Sequence, residues 1–124
     1  MKYKAIGENH LYVKAYTKGK RTATGTVVVY VLADKQAYRF RKANPQKKSI
    51  NRIGLTVTKK IGGAVQRSRV KRVLREAYRL IDRAHGVKTG HLIVLMAREG
   101  TVKAKVPQVE KDMAYALRKL GLLP

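Results

Sequence analysis

The chain has 124 residues, the size of one domain, with 29 Lys and Arg against seven Asp and Glu and a formal net charge of +22. Apolar residues make up 44%, too many for a disordered polycation, and at this length roughly two thirds of the unfolded surface is buried on folding. The absence of Cys excludes a disulfide framework and a thiolate metal site and fits a reducing cytosol, while the charge surplus favours a polyanionic partner.

The N-terminal "MKYKAIGENHLY" has no apolar stretch of signal-peptide type. Residues 8–17, "ENHLYVKAYT", predict a short helix on which Leu11 and Ala15 form one i, i+4 line and Tyr12 and Tyr16 the neighbouring one. "KGKRTATG" breaks the pattern at Gly19 and Gly25. "TVVVYVLA", 26–33, is β-branched and apolar on both parities, which predicts a central strand starting at or a few residues before Thr26.

Residues 34–49 carry Asn44-Pro45 and many cations and read as a long basic loop or loose hairpin tip, with room for a short strand before residue 50. "INRIGLTVT", 50–58, alternates, with Ile53, Leu55 and Val57 toward a core and Arg52, Gly54, Thr56 and Thr58 away from it. A long helix over about 64–84 follows Gly62-Gly63 and stops near Gly86. "GHLIVLMA", 90–97, reads as a buried strand, and Val106, Val109, Met113, Leu117 and Leu120 mark a last helix. Neither apolar run is long enough to span a bilayer. The order α-β-β-α-β-α predicts a single domain over 1–124. It is an α+β chain folded as a two-layer sandwich with a mixed sheet of about four strands and the helices on one face.

The long helix repels itself. With Val70 at zero and 100° per residue, Val73, Leu74, Ala77, Tyr78, Leu80, Ile81 and Ala84 fall in one core arc. Arg72, Arg75, Arg79 and Arg83 fall opposite, Lys71 sits beside that row, and Arg67 and Arg69 flank the first turn on different sides. Arg67/Lys71, Lys71/Arg75, Arg75/Arg79 and Arg79/Arg83 are like-charged i, i+4 pairs, together costing on the order of 1–2 kcal/mol, partly screened by salt. Glu76 relieves Arg72 and Arg79 only. A solvated face normally mixes signs, so the row reads as a comb for phosphates, which guanidinium groups bind bidentately. Gly62-Gly63 permits close approach to the helix N-terminus, where free N–H groups favour anions, and Lys59 and Lys60 add charge there.

Six of the eight aromatic residues lie in the first 40. Tyr12, Tyr16 and Tyr30 beside a basic surface suit either stacking on unpaired bases or a half-buried place in the core. A catalytic set does not assemble. The only serines are Ser49 and Ser68, and His10, His85 and His91 lack metal-ligand spacing. Glu110 and Asp112 diverge on a helix, and the remaining acids are scattered where a two-metal nuclease needs a cluster.

The stretch "RIGLTVTKKIGGAVQRSRVKRVLREAYR" resembles the signature of the bacterial ribonuclease P protein component, G-L-x-V-x-K-K-x-G-x-A-V-x-R-N-R-x-K-R-x-x-R. Every fixed position from Gly54 to Arg75 is filled except the middle Asn, which is Ser68 here. The looser likeness covers nearly the whole chain, although "MKYKAIG" replaces the basic start common in the family.

The resemblance implies an α/β sandwich of ribosomal protein S5 domain 2-like type with three helices and a left-handed β-α-β crossover, an exception to the usual hand. It implies the protein subunit of an endoribonuclease whose RNA subunit is catalytic and removes the 5′ leader of precursor tRNA with Mg²⁺. The protein then has no catalytic residue, no tightly bound cofactor and no intrinsic metal. Its partners are ribonuclease P RNA, at 1:1, and precursor tRNA, with no membrane, in the cytoplasm.

Carried over by position, Lys59, Lys60, Arg67, Ser68, Arg69, Lys71, Arg72, Arg75 and Arg79 are expected to face the RNA subunit. Tyr12, Tyr16, Tyr30, Lys59, Arg67 and Ser68 are expected at the precursor leader. A small ribosomal protein and a stand-alone single-strand binder are the alternatives that basic charge alone leaves open.

Overall fold

The computed structural model describes residues 3–6, 9–34 and 51–124. The elements are β1 (Tyr3–Ala5), α1 (Asn9–Lys18), β2 (Lys20–Ala23), β3 (Val27–Ala33), β4 (Asn51–Thr56), α2 (Ala64–His85), β5 (His91–Ala97) and α3 (Val106–Lys119). Short 3₁₀ turns lie at Lys59–Ile61 and Glu99–Thr101. The expected basic loop over 34–49, and the strand it had room for, fall outside the described residues apart from Asp34.

The strands form one mixed sheet in the order β1-β4-β5-β3-β2. The β2–β3 and β3–β5 pairs are antiparallel, while β4–β5 and β1–β4 are parallel. The sheet therefore has five described strands where about four were expected. Besides the three long strands expected, it has the edge strands β1 and β2, of three and four residues, too short to show periodicity of their own.

The α+β sandwich with three helices is as expected; the placement of all helices on one face is not. Val27, Val29, Val31, Ile53, Ile93, Leu95 and Ala97 pack under α2 and α3, together with Val70, Leu74, Tyr78, Val109, Met113 and Leu117. Val28, Tyr30, Leu92 and Val94, of the other parity, pack under Leu11 and Ala15 of α1. The physical reason lies in β3 and β5. Both are apolar at every position of their centre, and a strand of that kind must be covered on both faces. A fully buried Leu74 or Ile93 contributes about 1.5–3 kcal/mol relative to exposure.

Helix α2 follows the wheel closely. Val70, Val73, Leu74, Ala77, Tyr78 and Ile81 are buried, whereas Leu80 is half-buried and Ala84 exposed, so the core arc is narrower than the sequence implied. The helix ends at Gly86, whose φ of 72° is the conformation glycine tolerates best and whose N–H donates to the Asp82 carbonyl at 2.9 Å. Asp82 Oδ1 accepts from the Val87 N–H at 3.0 Å and closes the same end.

Asn51, only 2% exposed, fixes the start of the crossover. Its Nδ2 donates to the Lys88 carbonyl at 2.8 Å and to the Tyr78 hydroxyl at 3.2 Å, and its Oδ1 accepts from the His91 N–H at 3.0 Å. One amide thus joins β4, α2 and β5, which sets the end of the sheet against the helix that carries the cations.

Candidate nucleic-acid interface

Two residues after β4 the chain turns through Lys59–Ile61. Ile61 is buried, and Lys59 and Lys60 are left exposed. Gly62 has φ 145°, a backbone that disfavours any side chain, and an added Cβ there would also lie 2.8 Å from Gln66 Oε1. Gly63 differs. Its φ is −72° and nothing stands within 4 Å of an added Cβ. Only the first glycine of the pair is required by the turn. Helix α2 begins with no side-chain cap and no acidic residue in its first turn, so the positive end of the helix dipole stays uncompensated.

Along α2, Ser68, Lys71, Arg72, Arg75 and Arg83 are exposed. Arg75 Nε approaches the Lys71 carbonyl at 3.4 Å. Three members of the expected set are partly engaged or covered. The Arg69 guanidinium donates to the carbonyls of Val102 at 3.1 Å and Ala104 at 3.4 Å, on the flank away from Arg67. Arg79 pairs with Glu76, through Nε to Oε2 at 3.0 Å and through Nη2 to Oε1. The hydrogen bond from Arg79 holds the Glu76 carboxyl below its ordinary range, and the same bond raises the Arg79 guanidinium. Arg67 is half-buried, and its Nε is buried without a hydrogen-bond partner. The open comb is therefore Ser68, Lys71, Arg72 and Arg75, with Lys59 and Lys60 before it in the chain.

The three tyrosines meet on the other face of the sheet. Tyr16 and Tyr30 are in edge-to-face contact, centroids 4.9 Å apart and planes at 77°. The Tyr16 hydroxyl shares a hydrogen bond of 2.5 Å with Thr56 Oγ1. Tyr12 lies on Gly54, where an added Cβ would stand 2.6–2.7 Å from Cε1, Cζ and the hydroxyl oxygen of the ring. Burial raises the Tyr12 phenol above its ordinary value; a hydrogen bond from the Leu55 backbone opposes this, and the neighbouring Tyr16 adds to it. Tyr12 and Tyr16 are half-buried, but Tyr30 is 8% exposed. The open ring surface belongs to α1, and Tyr30 forms the floor beneath it.

Two contributors were not singled out from the sequence. Gly54 was read as part of a polar strand face and as the start of the signature, although a glycine inside a strand is itself a signal of close approach. Arg21 sits on β2 directly across from Tyr30, a placement visible only once β2 is known to pair with β3.

No group of three His, Asp or Glu capable of holding a metal occurs among the described residues. Asp34 pairs with Arg52 at 2.6 and 2.9 Å, Asp112 accepts from the Thr26 hydroxyl at 2.8 Å, and Glu76 is taken by Arg79. These carboxylates serve the fold. No described helix is long and apolar enough to cross a membrane.

The chain is thus a basic α+β sandwich with a cation-rich helix on one face of its sheet and three tyrosines gathered on the other. The profile of the ribonuclease P family matches residues 1–121, and the chain belongs to that family, as a ribonuclease P protein component of tRNA processing. It is 36% identical over 118 residues to the ribonuclease P protein component of Alkaliphilus oremlandii, covering 95% of this chain and 91% of the relative. It is 36% identical over 123 residues to that of Clostridium acetobutylicum, covering 99% and 93%. Among solved structures, the ribonuclease P protein of Staphylococcus aureus matches with a TM-score of 0.75 at 24% identity over 97% of both chains. That of Thermotoga maritima matches at 0.64 and 21% identity, covering 90% of this chain and 87% of the other. These likenesses bear out the α+β fold and the family expected from the signature.

Proposed function

We propose that this chain binds the catalytic RNA subunit of ribonuclease P, at 1:1, through the solvent face of α2, and holds the 5′ leader of precursor tRNA against the tyrosines of α1. The RNA subunit performs the hydrolysis with Mg²⁺; this chain contributes binding and no catalytic side chain, and holds no metal or cofactor tightly on its own. It works in the cytoplasm. Lys59, Lys60, Ser68, Lys71, Arg72 and Arg75 are the contacts to structured RNA. Arg69 and Arg79 join them only by giving up their present partners, and Arg67 is half-buried.

The observation that carries this reading is the row of uncompensated cations on α2. Their repulsion costs stability in the free protein and is relieved when phosphates lie between the guanidinium groups. The tyrosines support the second half, since base stacking on aromatic rings is tolerant of sequence and suits a leader that varies among tRNAs.

The test is the salt dependence of binding to the RNA subunit. Replacing Arg72→Ala and Arg75→Ala together is expected to weaken binding and to flatten the slope of log K against log salt. Each lost contact contributes about 0.9 units by the duplex rule. Both side chains are exposed, so the fold is expected to be unaffected. An unchanged slope in a folded variant removes the comb from the account.

A further inference from the structure

We infer that Arg21 is a phosphate contact for the single strand held on the α1 face, a role that rests on the leader-binding reading above. On that face β4 is already occupied. Arg52 is paired with Asp34, Gly54 lies beneath the Tyr12 ring, and Thr56 is hydrogen-bonded to Tyr16. Access to Tyr16 and Tyr30 is therefore from the other side, where β3 pairs with the edge strand β2.

The register of that pair decides which cation stands beside the tyrosines. Arg21 is opposite Tyr30 and Ala23 opposite Val28, and directly opposed residues on antiparallel strands share a face. Tyr30 and Val28 belong to the α1 side of the core, so Arg21 and Ala23 do as well. Lys20 is opposite Val31 and Thr22 opposite Val29, both under α2 and α3. Arg21 is exposed, and no described side chain is paired with it. Ala23 next to it along the face is small and exposed. A guanidinium on an exposed edge strand thus stands across from an aromatic floor, which is the arrangement single-stranded nucleic acid needs: charge for the backbone beside rings for the bases.

The alternation of β2 supplies its own control. Lys20 and Arg21 are adjacent, both exposed and both cationic, but they stand on opposite faces. The experiment measures binding of leader-bearing precursor tRNA and of mature tRNA by the complex reconstituted from RNA subunit and full-length protein, across a salt series. The ratio of the two affinities is the leader contribution.

Arg21→Ala is expected to reduce that ratio about fivefold, the size of one exposed ion pair. It should also lower the salt slope of the ratio by about 0.7 units, the single-strand value. Lys20→Ala should leave the ratio unchanged, and Arg21→Lys should retain most of it. Equal ratios for Arg21→Ala and Lys20→Ala overturn the inference. Tyr12→Ala is measured alongside. If it lowers the ratio and Arg21→Ala does not, only the role of Arg21 falls. If Tyr12→Ala also leaves the ratio intact, the leader-binding reading falls and takes the inference with it.

Discussion

Gly54→Ala tests how the tyrosine face is held. The new methyl group would lie 2.6 Å from Tyr12 Cε1 and 2.7 Å from Cζ and the hydroxyl oxygen. Ordinary contact begins near 3.4 Å, so the ring must retreat by about 1 Å. It has little freedom to do so, because the ring is half-buried and Leu11 and Ala15 anchor its helix in the core. Overpacking of this kind costs about 1–3 kcal/mol. The gain from replacing a glycine in a strand, about 0.5–1 kcal/mol, offsets part of this.

The net expectation for Gly54→Ala is a loss of about 1–2 kcal/mol, read as a lower urea midpoint with an unchanged m-value. Adding Tyr12→Ala removes the obstruction, so a double-mutant cycle should show strong coupling and the alanine at 54 should cost nothing once the ring is gone. Additive effects, or a Gly54→Ala protein as stable as the parent, would refute the idea that this glycine exists to seat Tyr12.

Three other outcomes follow from the same geometry. Asn51→Ala should cost about 2–4 kcal/mol in denaturant unfolding, because it withdraws bonds from Lys88, His91 and Tyr78 at once. Tyr12→Phe should flatten the alkaline end of the pH–stability curve. The folded phenol titrates above its ordinary 10.0, so its contribution is full below that value and is lost as pH rises through the raised one. Gly63→Ala should be tolerated within about 0.5 kcal/mol and Gly62→Ala should not, as thermal unfolding of the two variants would show, since only Gly62 has a left-handed backbone.

Much of this was legible in the sequence because long elements carry strong periodicity. The core arc of α2, the placement of Tyr12 beside Tyr16, and β3 and β5 as buried strands follow from spacing alone. The family followed from the signature over Gly54–Arg75. The rest depended on pairing that spacing does not encode. β1 and β2 are stabilised by neighbours rather than by their own pattern. The two-sided covering of the sheet was present in the unbroken apolar runs of β3 and β5 but was not used. Arg69 looks like its neighbours until the loop at Val102–Ala104 comes within reach of its guanidinium. Gly62 and Gly63 read as one motif, yet only the first has a backbone that needs glycine.

The most direct measurement of the central claim is cleavage of precursor tRNA by the ribonuclease P RNA subunit at limiting Mg²⁺, with and without this protein. A large gain in cleavage at the 5′ end, with none from the protein alone, is the predicted result, and the repulsion along α2 then has its explanation in the RNA that relieves it. A fully folded protein that gives no gain would contradict the account.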